Sequence, residues 1–273
     1  MNVTSVLVPP FSFSQASLQD YLDCPRRFEL RYIRQIRWPA VESEPALENE
    51  HRLEEGKRFH RLIQQYLLGI PVEKLTPLAS SSNLRRWWEN YLAAAPSFSG
   101  YTKHIELLLS TAVGEHRLVA QYDLIALHPS GQVLIYDWKT YTRRPRNEWM
   151  AARLQTHLYR ALLVRAGAHL NGGTPIRPEQ VEMIYWYAEH PAEPACFPYN
   201  ADQYRRDWAA LEKLVSEITT TQDFPPTENQ AHCALCSYRS YCARGIRAGL
   251  AELEEESDDE PDINFEQIQE IAF

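Results

Sequence analysis

Long apolar runs are missing from this sequence of 273 residues, and none approaches the ~18 residues that a membrane-spanning helix needs. Its first ten residues lack the basic start and the apolar stretch of a secretory signal peptide. Internal repeats are absent too, and the one compositionally biased segment lies at the C-terminal end of the sequence. These absences predict a cytoplasmic protein without a membrane partner.

The composition is that of a globular protein. Hydrophobic residues make up 44% of the chain and charged residues 23%, which excludes wholesale disorder. The length predicts one large domain or two modest ones, and a chain of this size buries enough surface to fold without disulfide bonds. The sequence contains no Gly-x4-Gly-Lys-Ser/Thr loop, so it shows no sign of a helicase motor.

The charge is distributed unevenly along the chain. The net charge is −8, but ten of the 36 acidic residues lie in residues 251–273, which contain no Lys or Arg. The remaining residues carry 28 basic and 26 acidic side chains, so they are close to neutral and can form a local basic groove. We expect residues 1–250 to form a single domain and residues 251–273 to be a disordered acidic tail.

The spacing of apolar residues predicts an α/β protein with an α+β order, in which helices flank a mixed central sheet. Helices are expected at residues 14–33, 50–68, 82–94, 148–166 and 201–219, and strands at 104–111, 117–127, 132–140 and 181–188. Ser14 is the expected N-cap of the first helix, and Pro25 is expected to restart that helix after Cys24. Residues 34–48 contain two prolines and are predicted to form a loop.

The segment Val133–Thr140 places charged side chains at the end of an otherwise apolar strand. Asp137 and Lys139 are two residues apart and therefore point to the same face. If residues 129–131 form the hairpin loop, Asp123 lies opposite Asp137 at a Cα distance of ~4.5–5.5 Å. Carboxylates this close favour a hard divalent cation between them, such as Mg²⁺ or Mn²⁺. The alternative is a surface hairpin with a weak Asp–Lys ion pair.

The cysteines indicate a second metal centre. There are five of them, and an odd number does not suggest a secreted disulfide framework. Cys233, Cys236 and Cys242 form a Cys-x2-Cys-x5-Cys pattern, with Cys24 as the candidate fourth ligand. On spacing alone, Zn²⁺ held by four cysteines, or by three cysteines and His232, is the default, and a [4Fe–4S] cluster is the alternative.

The combination of Asp123 with Asp137-Trp138-Lys139 on a hairpin resembles the active site of the PD-(D/E)XK nucleases. Two further motifs resemble the RecB-like branch, which includes the Cas4 nucleases and the nuclease domains of AddAB helicase–nucleases. These motifs are Gly56–His60 on a predicted helix and the Gln-x3-Tyr motif Gln155–Tyr159 on the helix after the strand. The resemblance covers residues 11–245 and departs at Ala120, where the family often has Gly.

The resemblance implies a restriction-endonuclease-like core that hydrolyses phosphodiesters with a metal ion. The implied metal ligands are His60, Asp123, Asp137 and the backbone carbonyl of Trp138, the residue that positions water is Lys139, and the groups that orient the substrate are Gln155 and Tyr159. Glu106 stands where this branch often has Glu, and it either supports the site or is a plain strand-edge acid. The Tyr-x2-Cys-Pro-x2-Phe context of Cys24 resembles the iron–sulfur staple of AddB-type and Cas4 nucleases, which implies a structural [4Fe–4S] cluster.

Two basic segments are candidates for nucleic-acid contact. Arg143, Arg144 and Arg146 follow the catalytic strand and are expected to contact DNA, as is Tyr159. The helical segment Arg85–Trp88 combines two arginines with two tryptophans. It either stacks bases and holds phosphates or consists of core tryptophans beside solvated arginines.

These features together predict a metal-dependent DNA nuclease. We expect an exonuclease that acts on single-stranded or end-containing DNA in repair, recombination or CRISPR adaptation. The alternatives are a non-catalytic nucleic-acid-binding or scaffold subunit of a helicase–nuclease complex, and a nuclease that acts on RNA. The acidic tail resembles the partner-binding tail of bacterial single-stranded-DNA-binding proteins, so a helicase or another repair or CRISPR protein is a candidate partner.

Overall fold

The structure is a computed structural model that describes residues 7–36, 44–233 and 236–244. A six-stranded mixed sheet lies among helices, which confirms the predicted fold class. The strands are β1 (Ser12–Phe13), β2 (Thr102–Val113), β3 (His116–Leu127), β4 (Val133–Lys139), β5 (Val181–Tyr187) and β6 (Ala195–Pro198). The helices are α1 (Gln15–Asp23), α2 (Pro25–Phe28), α3 (Glu44–Leu67), α4 (Val72–Leu75), α5 (Ser82–Ala94), α6 (Asn147–Ala152), α7 (Leu154–Ala166) and α8 (Ala201–Thr220). The predicted tail lies outside the described residues.

Strand β3 organises the sheet. Strand β2 pairs antiparallel with it from Thr102–Leu127 to Val113–His116. The other edge of β3 takes β1 in parallel at one end and β4 antiparallel at the other. Strand β5 then runs parallel to β4, and β6 closes the far edge in antiparallel orientation. The prediction missed β1 and β6, because strands of two and four residues are too short to show an alternating pattern.

The hairpin β3–β4 has the predicted register. Leu124 pairs with Tyr136 and Leu127 pairs with Val133. The turn closes with a hydrogen bond of 2.8 Å from His128 N to Gln132 O. Hairpin register depends on loop length, and the Pro-Ser-Gly loop is a local signal. This register brings Asp123 and Asp137 to the same end of the hairpin.

Three helix boundaries differ from the prediction. The expected helix 14–33 begins at the Ser14 cap and restarts at Pro25 after the extended Cys24, as predicted, but it ends in a π-helical turn at Glu29–Ile33. Helix α3 begins at Glu44, inside the predicted loop, because proline is well tolerated in the first turn of a helix. The expected helix 148–166 is two helices, because Arg153 is extended.

Apolar side chains fill both faces of the sheet. Helix α7 packs on the face that carries Ile125 and Ile135, and helices α3 and α5 pack on the face that carries Leu124 and Trp138. Within the described residues no helix is both long and apolar enough to cross a membrane.

The tryptophans of α5 belong to the second of these cores. Trp87 and Trp88 are 5% and 0% exposed. The hypothesis that they stack bases is therefore wrong, and their alternative interpretation as core residues is correct. Burial of these two large apolar side chains stabilises the fold, and exposing them to stack on bases would lose that stabilisation.

Candidate active site

Asp137, Lys139 and Gln155 form a closed ring at the end of β4. Lys139 Nζ lies 3.1 Å from Asp137 Oδ2 and donates to Gln155 Oε1 at 3.1 Å. The Gln155 amide nitrogen, which comes from the first turn of α7, donates to Asp137 Oδ1 at 2.7 Å. All three side chains are buried, with exposures of 4%, 8% and 1%. The alternative of a weak surface ion pair is therefore wrong.

Two tyrosine rings flank the lysine. The ring centroids of Tyr185 and Tyr141 lie 5.5 and 5.9 Å from Lys139 Nζ. Such aromatic faces stabilise an ammonium group that has lost most of its water. Sequence reasoning missed both rings. The contact of Tyr185 depends on the parallel pairing of β5 with β4, in which Asp137 and Tyr185 are register partners, and the sequence carries no local signal for that pairing.

Burial and charge pairing have opposite effects on the pKa values of Asp137 and Lys139. Burial raises the pKa of Asp137, and the nearby Asp123 carboxylate opposes the favourable effect of Lys139 on it. Burial alone would lower the pKa of Lys139, but the Asp137 carboxylate raises it well above its usual range. The lysine is therefore protonated at neutral pH, and it holds its proton beside the carboxylate.

His60 and Asp123 form a second pair beside the ring. His60 Nδ1 on α3 lies 3.2 Å from Asp123 Oδ1. Burial alone would lower the pKa of His60, but the Asp123 charge and hydrogen bond raise it to about 9. Burial alone would raise the pKa of Asp123, but His60 and the backbone of Trp138 lower it. The pairing with His60 thus offsets the cost of partly burying the Asp123 carboxylate.

Asp123 stands where the hairpin ladder stops. The β3–β4 pairing ends at Leu124–Tyr136, one position short of the predicted Asp123–Asp137 pair. Asp123 Oδ2 instead accepts a hydrogen bond of 2.9 Å from Trp138 N, a backbone donor beside the missing pair. The strand also changes its inner face here, because Tyr122 and Ile125 both belong to the α7 core. The Asp123 carboxylate therefore lies outside the ladder.

Glu106 on β2 is a third carboxylate, after Asp123 and Asp137. It falls between the pairs Ile105–Leu124 and Leu107–Tyr122, opposite Asp123, and its backbone has a φ of 51°. A left-handed non-glycine residue within a strand is strained. Burial and the Asp123 charge raise the pKa of Glu106 to about 7, although Gln121 donates to it at 2.6 Å. Its electrostatic coupling to Asp123, His60 and Asp137 is compatible with a supporting role, which stays a prediction.

The donor chemistry of these residues fits a divalent cation. Asp137 Oδ2 is a buried carboxylate oxygen that faces the Lys139 ammonium group at 3.1 Å. Carboxylate oxygens and a histidine nitrogen are ligands that Mg²⁺ and Mn²⁺ accept. As the side chains stand, however, no group of three His, Cys, Asp or Glu residues in the described ranges is arranged to hold an ion. His60 and Asp123 occupy each other's ligand atoms, so an ion would have to replace that hydrogen bond.

Tyr159 lies deeper than its predicted role requires. It is 1% exposed, its ring centroid is 4.8 Å from that of Tyr122, and its carbonyl accepts a hydrogen bond of 2.8 Å from the Tyr122 hydroxyl. In the Gln-x3-Tyr motif, Gln155 thus belongs to the hydrogen-bonded ring with Asp137 and Lys139, and Tyr159 belongs to the core. A contact between Tyr159 and DNA stays a prediction, as does the ligand role of the Trp138 carbonyl.

The three arginines after β4 differ in their surroundings. Arg143 and Arg146 are exposed. Arg144 donates to Glu193 O at 2.8 Å and lies 5.5 Å from the ring centroid of Tyr187. It therefore holds its loop in place, whereas Arg143 and Arg146 face solvent at the predicted DNA side.

The four cysteines of the predicted cluster are electrostatic neighbours. Burial raises the pKa of the Cys236 and Cys242 thiols, and the charges of Cys24 and Cys233 raise both further. Cys24 Sγ accepts a hydrogen bond of 3.4 Å from Thr227 N, which joins two segments 203 residues apart in the sequence. The described residues nevertheless contain no closed metal-binding group here, so the four-cysteine junction stays a prediction.

Comparison with known proteins identifies the family. The model of the PD-(D/E)XK nuclease superfamily matches residues 12–243. The chain belongs to this superfamily, and it is a nuclease, a hydrolase of phosphodiester bonds. None of the curated proteins matches it.

Solved structures give only distant likenesses. The crystal structure of SSO0001 matches 86% of this chain and 87% of its own, with 13% identity and a TM-score of 0.43. A protein of Eubacterium rectale, which its name assigns provisionally to the exonucleases, matches 80% of this chain and 84% of its own, with 9% identity and a TM-score of 0.48. The family membership therefore depends on the sequence match.

Proposed function

We propose that this protein hydrolyses phosphodiester bonds of DNA with a divalent metal ion held by His60, Asp123 and Asp137. The observation that carries the proposal is the buried ring of Asp137, Lys139 and Gln155, in which burial and the nearby Asp123 carboxylate both raise the pKa of Asp137. Two carboxylates this close repel each other, and a cation between them offsets the repulsion. When bound, Mg²⁺ or Mn²⁺ would polarise a phosphate oxygen and lower the pKa of a water molecule.

The protein's own residues supply orientation and charge. Lys139 stays protonated beside Asp137, so its ammonium group stabilises negative charge that develops on the phosphate and donates a hydrogen bond to the attacking water. Gln155 holds the lysine and the carboxylate in one arrangement. The tyrosine rings of Tyr141 and Tyr185 exclude water from the lysine, which strengthens its electrostatic effect.

The finer assignments extend this proposal. Arg143 and Arg146 are exposed beside the site and suit contacts with a phosphate backbone, which supports an enzyme that acts on single-stranded or end-containing DNA. We place the protein in the RecB-like branch with its Cas4 and AddB-type relatives, because the order of its motifs follows that branch. A role in repair, recombination or CRISPR adaptation, and a helicase partner that binds residues 251–273, belong to the same proposal.

The cysteine cluster is proposed as a structural centre. Four thiols that influence one another suit four thiolate ligands, and Arg26, Arg27 and Arg244 partly oppose the rise in pKa that burial causes at Cys236 and Cys242. A [4Fe–4S] cluster is the first choice and Zn²⁺ the second. Protein purified without oxygen is expected to be brown and to contain iron; a colourless protein with one equivalent of zinc would favour the second.

The test is cleavage of end-labelled single-stranded and duplex DNA by the full chain, with Mg²⁺, with Mn²⁺ and with EDTA. Asp137→Asn and Lys139→Ala are expected to lower the rate at least ~100-fold, because each removes transition-state stabilisation. Asp202→Asn and Lys213→Ala, exposed on α8, are the matched controls and are expected to retain full activity. Folded wild-type protein that binds DNA but cleaves neither form with either metal would favour the scaffold subunit instead.

A further inference from the structure

One tryptophan of this protein is exposed where the others of the described chain are not. Trp149 on α6 is 38% exposed. Trp87, Trp88, Trp138 and Trp186 are all at most 5% exposed, and Trp208 packs partly buried against the core. An exposed indole loses the free energy that burial would provide, so its exposure suggests a functional role.

Trp149 is connected to the catalytic lysine by a short series of contacts. The guanidinium of Arg153 lies 4.4 Å from the centroid of the Trp149 ring. Arg153 Nη1 is 3.4 Å from the hydroxyl of Tyr141, and the Tyr141 ring flanks Lys139 Nζ at 5.9 Å. The extended backbone of Arg153, which splits the helix predicted for residues 148–166, accompanies this arrangement. The indole is therefore held near the catalytic end of the sheet by a cation on one of its faces.

The six residues before Trp149 contain two exposed arginines and one exposed acid, Glu148, which leaves a net positive charge on this segment. Arg146 directly precedes α6 and is exposed, and Arg143 is exposed three residues before it. A cationic surface that also presents an aromatic ring is the arrangement with which proteins bind single strands, in which the backbone meets the charges and a base stacks on the ring. In a duplex both faces of each internal base are already stacked, so such a ring has no base to receive.

We propose that Trp149 is a stacking platform for an unpaired base of the DNA strand that enters the active site, and that it gives the enzyme a preference for single-stranded substrate. The inference rests on the proposed function and names the form of the substrate. Arg153 clamps the indole from one side, and the base stacks on the remaining exposed surface. Trp149 is a specificity residue in this arrangement, and it takes no part in bond cleavage.

Binding separates this inference from the catalytic proposal. In the Lys139→Ala background, the affinity for a fluorescein-labelled 20-nucleotide oligo(dT) and for a blunt hairpin duplex is measured by anisotropy at one fixed salt concentration. Trp149→Leu is expected to weaken oligo(dT) binding ~10-fold, because leucine keeps the apolar cover but lacks a ring on which a base can stack. Duplex binding should change less than ~2-fold. Trp149→Phe should restore most of the single-strand affinity.

Trp208 is the matched control. It also carries a stacked arginine, Arg165 at 5.2 Å, but it lies on α8. Trp208→Leu is expected to leave both affinities unchanged if its melting temperature shows that it folds, and Trp208→Phe replaces it otherwise. Equal affinities of wild type and Trp149→Leu for oligo(dT), or equal losses for oligo(dT) and duplex, would overturn the inference.

Cleavage assays keep the two proposals apart. In the background with intact Lys139, Trp149→Leu is expected to raise the KM for single-stranded DNA while kcat changes little. A wild type that cleaves DNA, together with a Trp149→Leu variant that is indistinguishable from it on both substrates, overturns the role of Trp149 alone. A wild type that cleaves no DNA overturns the catalytic proposal, and the anisotropy measurements then still decide whether Trp149 receives a base.

Discussion

The amide nitrogen of Gln155 donates a hydrogen bond of 2.7 Å to Asp137 Oδ1, while the amide oxygen of the same side chain accepts one from Lys139. Gln155 comes from the first turn of α7, and the other two residues come from the end of β4. The expected role of Gln155 was to orient the substrate. Its position supports a different one, in which it sets the distance between the carboxylate and the lysine.

The first prediction concerns this positioning role. Gln155→Ala is expected to lower kcat ~10- to 100-fold with less than a ~2-fold change in KM, because the lysine and the carboxylate lose their common partner while the DNA surface stays intact. Steady-state kinetics on single-stranded DNA measures both constants. A variant whose loss lies in KM would instead support a direct contact between Gln155 and the substrate.

The second prediction concerns Glu106. Glu106→Gly is expected to raise the free energy of unfolding by about 1 kcal/mol, because glycine adopts a φ of 51° without strain and the half-buried carboxyl group is removed. Activity should fall at the same time. Glu106→Gln, which keeps the strained backbone, should lose activity without the gain in stability. Urea unfolding and cleavage rates of both variants test this, and unchanged rates would reduce Glu106 to a plain strand-edge acid.

Metal binding should be visible as added stability. In protein stripped with EDTA, Mn²⁺ at ~100 times its Kd is expected to stabilise the fold by about 2.7 kcal/mol, which raises the melting temperature by ~5–10 °C. Asp123→Asn and Asp137→Asn should abolish most of this shift, whereas Asp202→Asn should retain it. An equal shift in all four proteins would place the ion away from the predicted ligands.

Acid should weaken one defined contact between α5 and the end of β5. Burial alone would raise the pKa of Glu189, but hydrogen bonds from Arg86 and Trp87, the latter at 2.7 Å, lower it. A carboxyl group whose pKa is lower in the folded state stabilises the fold above its unfolded pKa of ~4.3, and this contribution disappears as the pH falls through the folded pKa.

Glu189→Gln is therefore expected to cost about 1 kcal/mol at pH 7, and the difference from wild type should shrink as the pH falls below ~4. Urea unfolding at pH 7, 5 and 3 measures it. Glu228→Gln, an exposed acid, is the control and should show no pH-dependent difference. A cost for Glu189→Gln that does not change with pH would mean that the carboxylate charge is unimportant.

Local signals account for the correct predictions. The Ser14 cap, the break at Cys24 and the β3–β4 register each depend on a few neighbouring residues, so they can be deduced from the sequence. The prediction failed where the cause is distant or very short. Strands β1 and β6 lack enough residues to alternate, and the start of α3 was hidden by a proline that suits a first turn as well as a loop.

The sequence by itself determined which reactive groups this protein has: two aspartates, a lysine, a histidine and a Gln-x3-Tyr motif. The order of these groups predicted the superfamily. The hairpin register follows from the loop length. Only the tertiary structure decided which of these groups are partners. Gln155 and Tyr185 meet Asp137 and Lys139 because α7 and the parallel strand β5 pack against β4, and that packing depends on contacts between residues far apart in the chain. Such contacts leave no local pattern in the sequence. The ring of Asp137, Lys139 and Gln155, the strained backbone of Glu106 and the exposure of Trp149 could therefore be recognised only in the tertiary structure.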